Sequence, residues 1–122
     1  MGKYILKNGK IIMSNRIINH GGIIIKGSKI QDVFSMEDYN QEKVRDFEVI
    51  DVGGEYISPG FIDIHVHGGA NYDFMDGTQE AAREIVKLHA DHGTTSMVAT
   101  TLTSSDEDLI KALDNIKKFR NK

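Results

Sequence analysis

Residues 59 to 68 read Pro59-Gly60-Phe61-Ile62-Asp63-Ile64-His65-Val66-His67-Gly68. Alternate residues of a β-strand point to the same side, so His65 and His67 project together while Ile64 and Val66 face away. Asp63 shares the histidine face. Two imidazoles fixed side by side on a rigid strand make half of a metal site. The plainer reading is a strand whose polar face happens to carry histidines. Against it stands the cost of an inward row of three ionisable side chains, which is high unless they are paired or bound. His65 and His67 are therefore the predicted metal ligands, with zinc or iron as the ion, because histidine nitrogens accept both.

The rest of the composition limits the alternatives. A chain of 122 residues with 39% hydrophobic and 27% charged residues has the size of one ordinary domain. Its net charge of −3, with signs interspersed, gives no electrostatic case for nucleic acid or an anionic membrane. The absence of cysteine excludes disulfides and thiolate metal sites and suits a reducing compartment. Met1-Gly2-Lys3-Tyr4-Ile5-Leu6-Lys7 is broken by charge too early for a secretory signal, and Leu6 spoils a myristoylation motif. No apolar run reaches membrane-spanning length. A cytoplasmic, soluble protein is expected.

Upstream of the histidines, the pattern is of short strands and tight turns. Tyr4 to Lys7 and Lys10 to Met13 flank Asn8-Gly9, a hairpin signal because Asn-Gly accepts positive φ. Gly22 to Lys26 and Lys29 to Phe34 flank Gly27-Ser28 in the same way, with Ile30 and Val33 breaking strict alternation. Residues 35 to 47 are charged and read as a loop with one helical turn. Val49 to Val52 form another strand, ended by Gly53-Gly54, and His20 falls in a turn. Downstream the period changes. Thr78 is a helix N-cap, Ala82, Ile85, Val86 and His89 share one face, and Gly93 closes the segment. Thr94 to Thr101 reads as a strand. Ser104-Ser105-Asp106-Glu107 reads as a capping box opening a second helix, with Leu109, Ile110, Leu113 and Ile116 on its buried side. Lys117, Lys118, Arg120 and Lys122 gather at that helix's negative end. The fold class is α/β, with strands over residues 1–58 and two βα units of a parallel sheet over 59–122. Two such units cannot close a sheet, and a βα barrel takes about 250 residues. The chain is expected to be the amino-terminal piece of a longer protein rather than a small α/β protein that oligomerises to cover its edges.

The run from Pro59 to Gly68 resembles the amidohydrolase superfamily of metal-dependent hydrolases. Gly68-Gly69-Ala70-Asn71-Tyr72-Asp73-Phe74-Met75-Asp76-Gly77-Thr78 and Gly93-Thr94-Thr95-Ser96 are similar to its amino-sugar-phosphate deacetylases. The resemblance implies a small β-sandwich domain ahead of a (β/α)8 barrel whose first strand carries the ligands His65 and His67. It implies hydrolysis of the acetamide of an amino-sugar phosphate, aided by a divalent metal, and a homodimer when full length. The family's further Glu and His ligands and its catalytic Asp come later, and no such motif precedes Lys122. No catalytic residue is thus assigned within the chain, which alone is expected to be inactive. Two rivals remain: an amidohydrolase acting on a cyclic amide or nucleobase, and a β-rich interaction module with an incidental histidine strand.

Asp63 is open between orienting an imidazole N–H from the second rank and capping a backbone amide. Gly68 and Gly69 are expected in a loop at the active face, more as permissive turn residues than as substrate contacts. Asn71, Tyr72, Asp73 and Asp76 are expected to build turns before the next helix. His89 and His92 read as ordinary helix-face residues. Thr100, Thr101 and Thr103 either line the barrel mouth or feed the next helix cap. Met13, Met36, Met75 and Met97 are assigned to packing. No glycine-rich phosphate cradle is encoded.

Overall fold

A computed structural model describes residues 2–40, 42 and 45–121. Residues 41, 43 and 44 of the charged loop, and Lys122 of the basic cluster, lie outside the described residues. The chain separates into two compact units, Met1–Pro59 and Gly60–Lys122.

The first unit is a five-stranded sheet. Strands β1 (Lys3–Ile12), β2 (Ile17–Lys26), β3 (Lys29–Ser35) and β4 (Glu48–Asp51) run in the order β3-β2-β1-β4, and β5 (Tyr56–Ile57) also pairs with β1. Gly27 and Ser28 form the β2–β3 hairpin turn as expected, with Gly27 at φ 63°. The irregular spacing of Ile30 and Val33 has a cause: β3 carries an extra residue opposite Ile24 and Ile25. A 3-10 turn, Met36–Asp38, follows.

Asn8-Gly9 is not a hairpin turn. It lies inside β1 as a bulge, with Asn8 at φ 59° and the β2 register slipping on both sides of Gly9. The true β1–β2 hairpin comes later, where the Met13 N–H donates to the Arg16 carbonyl at 2.9 Å. The bulge marks a change of partner along β1: Tyr4 to Lys7 pair in parallel with β4, and Lys10 and Ile11 with β5. Between them the Gly54 N–H donates to the Asn8 carbonyl, and the Asn8 side chain donates to Asp51 at 2.6 Å. A local sequence signal for positive φ was met by a bulge because β1 has strands on both edges. His20 likewise belongs to β2, where it is exposed, and not to a turn. Ile5, Ile11 and Ile23 form the buried centre of the sheet.

In the second unit β6 (Phe61–Val66) lies parallel to β9 (Thr94–Ala99), and β7 (Gly68–Gly69) pairs with β8 (Tyr72–Asp73). Helices α1 (Gln79–Asp91) and α2 (Asp106–Arg120) follow β8 and β9. Val66, Phe74, Ala82 and Ile85 make the core, flanked by Tyr72, Met97, Ala99, Ile116 and Phe119. Thr78 caps α1 by accepting from the Ala81 N–H at 3.1 Å.

Two expectations for α2 are corrected. The cap is Ser105, whose hydroxyl accepts from the Asp108 N–H, so the capping pair sits one residue later than the Ser104 to Glu107 reading. The side chains of Ser104 and Ser105 both donate to the Asp108 carboxylate. Ile110 and Leu113 are 62% and 55% exposed. Ile116 packs toward the core as expected, but beside Ala112, Asn115 and Phe119 rather than Ile110 and Leu113. Helical spacing allows both stripes, and the position of α1 selects the second. Asn115 is the polar residue that decides it: it donates to the Thr78 carbonyl at 2.9 Å and accepts from Gln79 at 2.5 Å, tying α2 to the start of α1.

Candidate metal centre

β6 and the residue after it carry the predicted ligands. His65 lies within the strand and His67 one residue beyond its end. Their Nε2 atoms are 3.0 Å apart and the rings meet edge-on, at 74° with centroids 4.8 Å apart. A neutral imidazole has one donor and one acceptor nitrogen. Two facing Nε2 atoms therefore need either one donated proton or a shared cation. The separation is short enough for one ion to reach both at ordinary bond lengths of roughly 2.0–2.1 Å. His67 Nδ1 is buried without a hydrogen-bond partner, so its ring is held by packing and by whatever meets Nε2. The donor set fits a divalent cation bound through nitrogen. Among the described residues no group of three or more His, Asp or Glu side chains converges.

The backbone around the pair is irregular and held from both sides. From Asp63 to Val66 β6 takes three steps while β9 takes two, from Met97 to Ala99. The Asp63 carboxylate accepts from the His65 backbone N–H at 3.1 Å. Of the two roles left open for Asp63, the backbone contact is the one formed. Val66 sits between the histidines with its side chain only 4% exposed, anchoring the strand end in the core. Ile62 and Ile64, by contrast, are 72% and 75% exposed. The His67 carbonyl accepts from the Phe74 N–H at 2.9 Å, which pins the backbone on the other side of the pair.

Gly68 and Gly69 leave the strand into a short hairpin with β8. A β-carbon on Gly68 would run into the Tyr72 carbonyl oxygen, so this position demands glycine for close approach. The hairpin turn is Ala70-Asn71, at φ 55° and 65°, with Asn71 in the turn as expected and Ala70 the position its residue type did not announce. Asp73 and Asp76 then cap a 3-10 turn reciprocally, Asp73 accepting from Met75 N–H and Asp76 from Asp73 N–H. Turn-building is what these residues do. The Tyr72 phenol donates to Glu80 at 3.4 Å, and that neighbouring carboxylate, more than any other cause, raises its pKa.

His89 and His92 do not join the pair. The His89 ring donates to the Gly68 carbonyl at 3.3 Å, and the His92 Nδ1–H to the Leu88 carbonyl at 2.8 Å. Thr100 is the residue whose part sequence reasoning left open: it bonds Val66 through both its hydroxyl and its backbone N–H. Phe74, the buried centre of the loop, was also missed, because a lone aromatic between two acids carries no periodic signal.

Comparison with known proteins gives this arrangement a family. N-acetylglucosamine-6-phosphate deacetylase of Bacillus subtilis (strain 168) is 29% identical over 119 residues, covering 95% of this chain and 28% of that protein. A dihydroorotase of Staphylococcus epidermidis is 38% identical over 84 residues, covering 65% of this chain and 19% of that one. The crystal structure of N-acetylglucosamine-6-phosphate deacetylase from Pasteurella multocida superposes with a TM-score of 0.85 at 23% identity, over 98% of this chain and 31% of that chain. The shared fold is a β-sandwich portion followed by the first two βα units of a metal-dependent hydrolase barrel. The chain thus spans under a third of the length of these relatives. Residues 56–120, more than half of the chain, match the amidohydrolase family, and to that family the chain belongs.

Proposed function

We propose that this chain is the amino-terminal portion of a metal-dependent amide hydrolase that converts N-acetylglucosamine 6-phosphate to glucosamine 6-phosphate and acetate. The observation that carries the reading is the convergence of His65 and His67 in a chain similar along 95% of its length to a deacetylase of that name. An amide resists water unless its carbonyl is polarised and the nucleophile sharpened, and a bound divalent cation, zinc or iron, supplies both. His65 and His67 would hold it as neutral imidazoles, each offering an Nε2 lone pair. Asp63 would act on the pair through the His65 amide. Gly68 and Gly69 follow the pair directly and let the chain turn closely against Tyr72 and Leu88. The remaining ligands, the proton-transferring group and the phosphate contacts belong to the whole protein. This portion alone is expected to release no acetate.

The whole protein is read as a cytoplasmic homodimer acting on a small sugar phosphate, with no nucleic-acid or membrane partner. No helix among the described residues is long and apolar enough to cross a membrane. A second reading, hydrolysis of a cyclic amide, is favoured by the dihydroorotase similarity, which covers a smaller share of the chain. Assaying the whole protein on N-acetylglucosamine 6-phosphate, on its unphosphorylated form and on dihydroorotate decides between them. Chelator-sensitive acetate release from the phosphorylated sugar is expected. Turnover of dihydroorotate alone would overturn the deacetylase reading.

A further inference from the structure

We propose that Thr100 is a positioning residue for the His65–His67 pair, acting through Val66, the residue that joins them. The inference rests on reading that pair as cation ligands. Where β6 gains a residue on β9, the regular ladder is broken, and an irregularity of this kind leaves backbone groups to find other partners. Two amides find side chains: His65 N–H donates to Asp63 Oδ1 at 3.1 Å, and Val66 N–H to Thr100 Oγ1 at 3.2 Å. Thr100 holds Val66 a second time, its own N–H donating to the Val66 carbonyl at 2.8 Å. The hydroxyl proton is directed to the Val98 carbonyl at 3.3 Å, which leaves an oxygen lone pair for Val66. Both polar backbone groups of the residue between the imidazoles are thus fixed by one residue just past the neighbouring strand. The Val66 side chain, buried in the core, blocks rotation the other way. A metal site loses function when its ligands are held even slightly too loosely, so this double grip bears on the rings themselves.

The test compares Thr100→Val, which keeps shape and backbone but lacks the hydroxyl, with Thr100→Ser, which restores it. Both are made in the whole protein, beside a His65→Ala/His67→Ala control, and zinc affinity is measured by chelator competition. Thr100→Val is expected to weaken zinc binding about 10–100-fold, the range found for outer partners of metal ligands, with Thr100→Ser within about threefold of the parent. In the metal-free protein the Val66 amide should exchange its hydrogen faster in Thr100→Val only. Parent-like affinity in Thr100→Val, or equal loss in Thr100→Ser, overturns the positioning role while leaving the ligand reading intact. A parent protein that binds zinc no better than the double-histidine control sinks the ligand reading instead, and this inference with it. Should Thr100→Val fail to fold, the parent decides: an unprotected Val66 amide there overturns the proposal.

Discussion

His65 and His67 face each other through Nε2 atoms 3.0 Å apart, although strand pairing ends between them at Val66. Two histidines two residues apart on a strand point the same way in any protein. Bringing their ring nitrogens to within hydrogen-bond distance takes a particular pair of rotamers. The backbone on either side of the pair is held by the irregular register beneath His65 and by the Phe74 N–H bond to the His67 carbonyl.

Replacing either ring should therefore damage metal binding directly. His65→Ala and His67→Ala are each expected to lower zinc affinity of the whole protein by more than about tenfold, since even outer partners of metal ligands are worth that much. Metal content after dialysis, set against the parent protein, reads the effect. Unchanged stoichiometry and affinity in both variants would show that the ion, if bound, is held elsewhere.

Gly9 should not tolerate a side chain. A β-carbon there would stand 2.6 Å from Ile57 Cδ1 and 2.9 Å from Val52 Cγ2, where the bulge brings β1 against its neighbours. Gly9→Ala is expected to destabilise by about 1–3 kcal/mol, the usual cost of overpacking. Thermal unfolding monitored by circular dichroism measures it. Asn8→Gly, which suits the same left-handed backbone, should cost less than Asn8→Ala.

Asn115 should matter more than its neighbours Ile110 and Leu113. Truncation to alanine removes two side-chain hydrogen bonds, to the Thr78 carbonyl and from Gln79, a loss of about 1–3 kcal/mol. Ile110→Ala and Leu113→Ala, at exposed positions of the same helix, are expected to cost less. Urea midpoints of the three variants give the ranking, and a larger loss at Ile110 would contradict the packing of α2.

Asp108 links the α2 cap to pH. Hydrogen bonds from Ser105 first and Ser104 second hold its pKa below the ordinary 3.8. A carboxylate depressed in the folded state stabilises fully above its unfolded pKa and ceases to do so as pH falls through the folded one. The contribution is thus intact at neutral pH and lost only on acidification below about 3.8. Ser105→Ala should move the Asp108 titration, followed by carboxyl NMR shifts, up toward the ordinary value. No movement would mean that the hydroxyls do not hold the carboxylate in solution.

The residue pattern by itself determined the histidine strand, the change of period after Gly68, the α1 cap at Thr78 and the α/β class, because strand alternation and helix capping are local properties. The tertiary structure alone decided four things. Asn8-Gly9 became a bulge because β1 had to change partners in mid-strand. The inner stripe of α2 moved to Ala112, Asn115 and Phe119 because α1 offered Thr78 and Gln79 as partners. Asp63 met the His65 amide, where either of its two readings was possible from residue types alone. Thr100 came to hold Val66 across 34 residues of sequence. Positive φ, a polar helix position and a free hydroxyl each admit several satisfied arrangements, and only the neighbours brought in by folding choose among them.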